Sequence, residues 1–527
     1  MSSLAILSFL DGLANVLRSV DDIPLINQGI LMLSVLLPLC VAVSLATSGT
    51  LSDRVVRGWA CFGFLFPALG ALWLWATYQA TVSDGGYTFE LISETGLEAF
   101  GIYFALGLNG ISMPLFLMAG IVGLAAGFYA IQSNVERKRL YLILLLIMQT
   151  GLMGLFASVD VLFYYLFHEF ALIPTFVMIA IWGGQGRKRV ALEMTIYLTF
   201  GAMLTLVGLI ALYVTSGASS FNMISLRDAL IETEASKTIF GFLLIGFGVL
   251  VSLFPFHSWA PSGYAKAPAS AAMLHAGVLK KFGLYGLIQI ALPVLPTGFE
   301  TWAPVLLWLA LGNVIVIGFV TMGQRDLKMM LGNASVMHMG YAFLGIYAYS
   351  TMGVGGAVLM MVAHGLSIAV LFLLADAISI RTGTTEFSEL GGLGKTAPVL
   401  MGFFVAATMA SIGLPGFGNF WGELSIFVAL YQGEAPWAVI PVLAGIVISA
   451  VYGLRAVAKV FFGESKLEYT GGDLTAKEKL PAVILLFALL ALGFWPRGIS
   501  DNLNAAVEAG LPQSGITHAA NNAHPTE

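Results

Sequence analysis

Long apolar runs separated by short polar gaps dominate this chain from residue 27 to residue 495. A run of about 20 apolar residues is what an α-helix needs to cross a hydrocarbon core about 30 Å thick. Fourteen such segments are predicted, near 27–47, 55–80, 103–131, 139–157, 160–182, 190–216, 238–259, 267–294, 303–322, 325–348, 354–381, 397–431, 437–463 and 480–495. The runs are too long for barrel strands and lack period-two alternation, so each is predicted helical. The stretch up to Pro24 starts apolar but has no basic n-region and carries Asp11, Asp21 and Asp22. It reads as an interfacial helix or a partial first span, not as a cleaved signal peptide. The tail after Arg497 is polar and is expected to be mobile.

Composition agrees with the pattern. Hydrophobic residues are 58% of the 527 and charged residues 10%, with a mean hydropathy of +0.90. A soluble domain carries about 25% charged residues, so this polymer lacks the polar surface to face water. The expected fold class is an all-α membrane protein of about 14 transmembrane helices.

The basic residues test that count. Loops after odd-numbered segments hold Arg54 and Arg57, Arg137 to Arg139, Arg187 to Arg189, Lys266, Arg325 and Lys328, Arg381 and Lys395, and Lys459, Lys466, Lys477 and Lys479, which is 17 of the 24 Lys and Arg. Loops after even-numbered segments between spans hold only Arg227 and Lys237, and the loop after the second holds Asp84, Glu90, Glu94 and Glu98. The positive-inside rule therefore puts the odd loops in the cytoplasm and both termini on the outer, periplasmic side of a cell inner membrane.

Other chemistries find little support. Cys40 and Cys61 each sit in an apolar run without CxxC spacing or a nearby histidine, so they cannot ligate an iron–sulfur cluster and are expected to be buried, inert thiols. The stretch Gly391-Gly392-Leu393-Gly394-Lys395-Thr396 has Glu389 where a phosphate-binding loop needs glycine, so it reads as a turn. The net charge of −5 says little about partners, and no nucleic-acid partner is expected.

Segments seven and twelve are interrupted alike. The seventh ends in Phe254-Pro255-Phe256-His257-Ser258-Trp259-Ala260-Pro261, and the twelfth contains Gly413-Leu414-Pro415-Gly416-Phe417-Gly418-Asn419. Proline deletes a helical hydrogen bond and glycine loosens the backbone, so both helices should break at membrane depth, at Pro255 and Pro415. Breaks five segments apart point to two five-helix repeats. Because five is odd, the second repeat is inverted relative to the first, as in many transporters. The expected organisation is an N-terminal region of about three spans (1–138), a first repeat (139–294), a second repeat (303–463), and a last span with a polar tail (464–527).

Charge at mid-bilayer costs roughly 2.5–3.5 kcal/mol per residue, so each instance needs a reason. Glu169 lies in the middle of segment five, Lys280 and Lys281 in segment eight, and Glu423 just after the break in segment twelve; His257, His338 and His364 occupy segments seven, ten and eleven, and Glu193 begins segment six. A structural ion pair is the alternative for Glu169, Lys281 and Glu423. Interhelical hydrogen bonding is the alternative for the histidines, and an interfacial charge for Glu193. The functional reading is a chain of titratable groups linked by water. Burial lowers a lysine's pKa and a nearby carboxylate raises it again, so moving that carboxylate converts conformational change into proton movement.

These residues carry a resemblance. The chain resembles the antiporter-type subunits of respiratory complex I, most of all subunit M (mitochondrial subunit 4), and more distantly Mrp antiporter subunits. The matching motifs are Glu169 with Pro174, Pro255-Phe256-His257-x-Trp259-x-Pro261, Ala267-Pro268, Ala276-Gly277-Val278-Leu279-x-Lys281, Asp326-Leu327-Lys328, Ser335-x-x-His338-Met339-Gly340, His364-Gly365, and Gly413-Leu414-Pro415-Gly416 with Gly422-Glu423. The resemblance implies a proton-translocating membrane-arm subunit that works beside other membrane-arm subunits and the quinone pool. It also implies no cofactor in this chain, with NADH, FMN, iron–sulfur clusters and quinone handled by partner subunits. In such a subunit Glu169 modulates a lysine, Lys281 is the central carrier near His338, and Glu423 ends the path toward the outside.

The chain departs from that pattern. Leu250 stands where relatives carry a lysine, Glu193 where segment six usually has one, and Ser262-Gly263-Tyr264 replaces the usual Asp-Ala-His. His275 is more like subunit L and Mrp chains. The extra Lys280 is expected to take over the missing cation's role, with Glu169 or Glu193 as its partner. Adjacent residues of an α-helix point about 100° apart, so the two lysines should face different surroundings. Three further readings stay open: an Mrp-type cation/proton antiporter subunit, the membrane arm of a hydrogenase- or ferredoxin-linked complex, and a non-pumping structural subunit.

Overall fold

Apolar runs of this length, with their backbone groups bonded internally, pack as a bundle of helices. The computed structural model describes residues 24–78, 86–465, 469 and 471–511; the stretch before Pro24 lies outside them. The helices are α1 (Pro24–Thr47), α2 (Asp53–Thr77), α3 (Ser112–Gln132), α4 (Lys138–Ala157), α5 (Val161–Trp182), α6 (Arg187–Ser216), α7 (Glu234–Val251), α8 (Trp259–Lys266), α9 (Ala269–Val294), α10 (Pro296–Gly323), α11 (Leu327–Tyr347), α12 (Thr351–Thr382), α13 (Pro398–Ser411), α14 (Gly418–Gln432), α15 (Val439–Phe461), α16 (Ala476–Phe494) and α17 (Arg497–Gly510). Among the described residues eleven helices are long and apolar enough to cross a membrane, or twelve if the bent pair α16 and α17 counts as one span. The 21-residue α11 is not one of the eleven, and Lys328, Asn333, Ser335 and His338 account for its polarity.

Both anticipated interruptions are present: α7 stops at Val251 and α8 begins at Trp259, while α13 stops at Ser411 and α14 begins at Gly418. At the centre lie α9, buried along its whole length, and α12, buried except at its ends, where Met352 and Ile380 are exposed. They approach closely because each presents a glycine. A β-carbon on Gly277 would lie 3.0 Å from the Gly365 carbonyl oxygen, and one on Gly365 would lie 2.6 Å from that of Gly277. The rim helices α1, α2, α6 and α15 turn large apolar side chains such as Trp59, Ile196 and Ile440 outward. That outward face corrects the reading of the thiols: Cys40 is exposed on α1 and Cys61 half-buried on α2.

Three other expectations change. The third segment does not start as a helix at 103, because Phe104–Leu108 forms strand β2, paired antiparallel with β1 (Thr88–Ser93) in a hairpin before α3. The ninth segment starts earlier than 303, since Pro296 supplies the fixed φ that suits a first helical turn. The tail beyond Arg497 is helical through Gly510 and bends 68° from α16. This last helix buries Leu503 and Val507, and the Trp75 indole N–H donates to the Gly498 carbonyl at 3.1 Å. Its i, i+4 apolar pair escapes a hydropathy scan because the rest of the helix is polar.

Helix ends are held by side chains at fixed places. Asp160 accepts from the Leu162 and Phe163 amides at 2.8 and 3.1 Å to start α5, and Asp473 accepts from Val399 and Leu400 at 2.7 and 3.0 Å to start α13 from a distant loop. The end of α12 is tied by Arg381, whose side chain is 4% exposed. Its guanidinium forks onto Glu478 of α16 at 3.0 and 3.1 Å and also reaches the carbonyls of Ala377, Gly472 and Asp473. Replacing one partner of such a buried pair costs about 3–5 kcal/mol, because it strands the other charge. Arg381→Leu should therefore lower the thermal unfolding midpoint of the purified protein sharply, whereas Lys395→Leu in the neighbouring loop should leave it nearly unchanged.

Candidate functional site

The centre of the bundle is where helix geometry is least regular. Along α9 the α-helical turns end at Gly277, a 3₁₀ turn spans Leu279–Lys281, and a π turn spans Leu287–Ala291. The two lysines therefore sit on a 3₁₀ turn, not on a continuous α-helix, and diverge by about 120°. They do face different surroundings. Lys280, 1% exposed, points across to α11, where its Nζ donates to the Ser335 carbonyl and hydroxyl, both at 3.2 Å, and lies 5.6 Å from the centre of the Tyr264 ring. Lys281, fully buried, turns back along its own helix and donates to the Ala276 carbonyl at 2.7 Å.

From Ser335 the polar contacts continue. Its hydroxyl is 3.0 Å from Nε2 of His364 on α12, and the His364 ring stacks at 5.3 Å on His338. His338 sets Nδ1 2.8 Å from the Ala334 carbonyl and Nε2 2.9 Å from the Ser411 carbonyl, the last residue of α13 before the break. A neutral imidazole has one N–H and satisfies one of these acceptors; a protonated ring satisfies both. The protonation of His338 and the position of the broken helix end are thereby coupled. Beyond the break Glu423 is 4% exposed, and its Oε2 lies 2.1 Å from where a β-carbon of Gly413 would stand. Gly413 has φ of +84°, so both its backbone and the carboxyl group require glycine there.

Lys280, Lys281, His338 and His364 thus form one cluster, with Glu423 on the far side of the break. Glu169 stands apart. A quarter of its side chain is exposed, and it pairs with the neighbouring His168 ring, Nδ1 to Oε1 3.5 Å. His168 stacks on Phe282 at 3.9 Å, next to Lys281. Among the described residues neither Glu169 nor Glu193 forms an ion pair with Lys280, whose partner is Ser335 instead. His257 lies in the turn between α7 and α8, half-exposed, with Nδ1 3.1 Å from the Pro255 carbonyl, away from the lysines. Pro255 and Pro415 are exposed at the two breaks. Leu250, 3% exposed, fills the core of α7.

Residues 158–449 match the family described as "NADH:quinone oxidoreductase/Mrp antiporter, TM". Chain 4 of the NAD(P)H-quinone oxidoreductase of Thermosynechococcus vestitus is 32% identical over 485 residues, 90% of this chain and 90% of that one. The corresponding chain of Synechococcus sp. strain JA-2-3B'a(2-13) is 35% identical over 407 residues, 75% of this chain and 77% of that one. The chain belongs to this family. In the structure of respiratory complex I from Thermus thermophilus with bound NADH, a chain of 29% identity superposes with a TM-score of 0.82, covering 91% of this chain and 99% of that one. A chain of the Mrp complex from Dietzia sp., 18% identical, shares the fold with a TM-score of 0.81 over 94% of this chain and 99% of that one.

Several residues that shape this family member's site escaped the sequence reading. Ser335, which the sequence marked only as part of the Ser335-x-x-His338 motif and without a role, joins Lys280 to His364. Asn313, fully buried on the π turn Gly312–Ile317 of α10, braces the first break. Its Oδ1 accepts from the Phe254 amide at 2.6 Å, and its Nδ2 donates to the carbonyls of Ser252 and Val336 at 3.1 and 2.9 Å. Asp376 on α12 is held from two sides, by Lys328 at 2.8 Å and by the Tyr129 hydroxyl at 2.7 Å. An acid twelve residues beyond His364 in the same apolar run is a readable signal, and so is His168 beside Glu169. Each polar group left unpaired in a core costs about 1–3 kcal/mol. Asn313→Leu, which strands three groups, should therefore reduce the amount of folded protein in the membrane and its thermal midpoint far more than Asn419→Leu, whose amide has no protein partner.

Proposed function

We propose that this chain is a proton-translocating membrane-arm subunit of an NAD(P)H–quinone oxidoreductase. The observation that carries this reading is the buried line from Lys281 and Lys280 through Ser335 and His364 to His338, ending against the broken helix that Glu423 follows. Two ammonium groups side by side in a dry core repel each other, and each costs several kcal/mol to hold there. A stable bundle gains nothing from such a pair, whereas a carrier site needs groups that gain and lose protons. Relatives 32% and 35% identical are named as chain 4 of such oxidoreductases, which supports the reading. Redox chemistry then belongs to partner subunits that hold the nucleotide, flavin, iron–sulfur clusters and quinone.

In this reading α11, the interrupted pair α13 and α14, and α16 join the eleven helices that are long and apolar enough to span, making fourteen crossings. The repeats are residues 139–294 and 303–463, related by inversion, and both breaks fall at corresponding places. The basic loops face the cytoplasm, and the hairpin and α17 face outward. Lys281 is the central carrier, Lys280 supplies the cation that Leu250 does not, and Glu169 acts on them through His168. His338, by gaining or losing a proton, changes its hydrogen bond to the Ser411 carbonyl at the end of α13. Glu423 is the acid on α14, just past the break.

Leu250 favours one other reading, a subunit that keeps the fold without pumping. The two are separated by protons moved per quinone reduced, measured in inverted vesicles that carry the assembled complex. A pump predicts that Glu169→Gln and Lys280→Met each lower this ratio by the whole share of this subunit while the complex still assembles. An unchanged ratio in both variants would establish the structural role.

A further inference from the structure

Four of the buried polar groups on α9 have an atom with no hydrogen-bond partner within the protein, and two of them lie on the outward side of the lysines. Lys281, Tyr285 and Gln289 are spaced four residues apart, so they line one face of the helix. Lys281 turns back to the Ala276 carbonyl, so the Tyr285 hydroxyl, one turn further on, comes within reach of its ammonium only when the lysine swings outward through bridging water. The π turn Leu287–Ala291 has Gln289 at its middle, and such turns recur at functional positions. Tyr285 is fully buried; its ring packs at 5.4 Å on Phe156, and its hydroxyl faces Ser112 without reaching hydrogen-bond geometry. Gln289 donates from Nε2 to the Tyr87 hydroxyl at 2.6 Å, while its Oε1 has no protein partner.

Gln289 also opens on a small pocket lined with Asn109, Arg227 and Ala506, with room for one water molecule. That pocket lies among the hairpin, the loop after α6 and the helix α17, at the end opposite the basic loops. From Lys281 to Gln289 the climb along α9 is about 12 Å. The remaining distance is spanned by Tyr87 and the pocket. A tyrosine hydroxyl at full burial with nothing to bond is costly unless water serves it.

We propose that protons leave Lys281 for the outer face along α9 itself, through Tyr285, Gln289 and Tyr87. This rests on the proton-carrying reading of Lys281 and names the way out for that same site. Swung outward from the Ala276 carbonyl, the ammonium of Lys281 gives one proton to a bridging water. The water passes a proton to the Tyr285 hydroxyl, which releases its own on the other side and ends neutral. Gln289 and Tyr87 orient the water that receives it, and the proton emerges beside Asn109. Lysine ends neutral and one proton has moved outward. The route involves no step through Glu423, which lies across the His338 contact with a backbone carbonyl that cannot relay a proton.

The test is the proton-to-quinone ratio of the assembled complex in inverted vesicles, for Tyr285→Phe, Gln289→Leu, Glu423→Gln and Lys281→Met. Tyr285→Phe keeps the ring and removes a hydroxyl with no protein partner, so a structural role predicts no loss and no fall in thermal midpoint. The proposed route predicts that Tyr285→Phe and Gln289→Leu both fall to the ratio of Lys281→Met, with the midpoint unchanged in Tyr285→Phe. A wild-type ratio in either variant overturns the route, as does a lowered thermal midpoint accompanying the loss in Tyr285→Phe. If Glu423→Gln alone falls to the Lys281→Met level, the exit is at Glu423 and the route is overturned. A wild-type ratio in Lys281→Met would instead overturn the proton-carrying reading beneath it.

Discussion

Hydrocarbon offers no hydrogen bonds, so wherever a helix inside the bilayer stops being regular, the freed backbone groups must find partners in the protein. Most of this structure follows from how that demand is met at two breaks. At the first, Asn313 reaches from a π turn on α10 to bond Phe254, Ser252 and Val336, tying the end of α7 to α11. At the second, His338 from the same α11 meets the Ser411 carbonyl. One helix therefore reads the state of both breaks. The Trp259 indole closes the first from the other side, donating to Val249 at 3.0 Å.

The two braces differ in a way that matters. An asparagine amide keeps its donors and acceptors at any pH, so Asn313 makes a fixed joint. A histidine changes its number of donors with one proton, so His338 makes a joint whose strength depends on protonation. That difference divides the bundle into a fixed half and an adjustable half. The lysines sit between them on the most distorted buried helix, α9. Its glycine contact with α12 leaves no room for the backbone to relax sideways.

Much of this was legible from the chain. The apolar runs marked the helices, and the Pro and Gly motifs marked both breaks, because length and missing N–H groups are local properties. Lys280, Lys281, His338 and His364 were singled out because charge in an apolar run is rare, and they do converge. What was not legible depends on partners distant in sequence. Ser335, Asn313 and Gln289 are ordinary residues until the fold sets them beside a lysine, a broken helix or Tyr87. The partner expected for Lys280 was a carboxylate, since cations attract acids; the helix instead turned into a 3₁₀ segment and offered Ser335. The β-hairpin was lost because Phe104–Leu108 is as apolar and buried as the helix it leads into, so hydropathy runs through it. α17 was lost to the opposite cause, since only a two-residue apolar stripe on a polar helix is buried.

Placing both cations on one turn has a physical consequence that separate helices would not have. Charges on separate helices can be decoupled by moving one helix, whereas Lys280 and Lys281 share a backbone and stay neighbours through any rigid-body motion. Whenever both are protonated they repel each other, whatever rigid-body motion takes place. What can vary is each side chain's own acceptor: Ser335 for one, the Ala276 carbonyl for the other. Ser335 bonds His364, which stacks on His338, so a proton gained or lost at the second break alters the acceptor available to Lys280. Through the shared repulsion it then alters the ease with which Lys281 holds its proton. Under the proposed function, coupling through these groups needs only rearranged hydrogen bonds, with no large movement of charge through hydrocarbon.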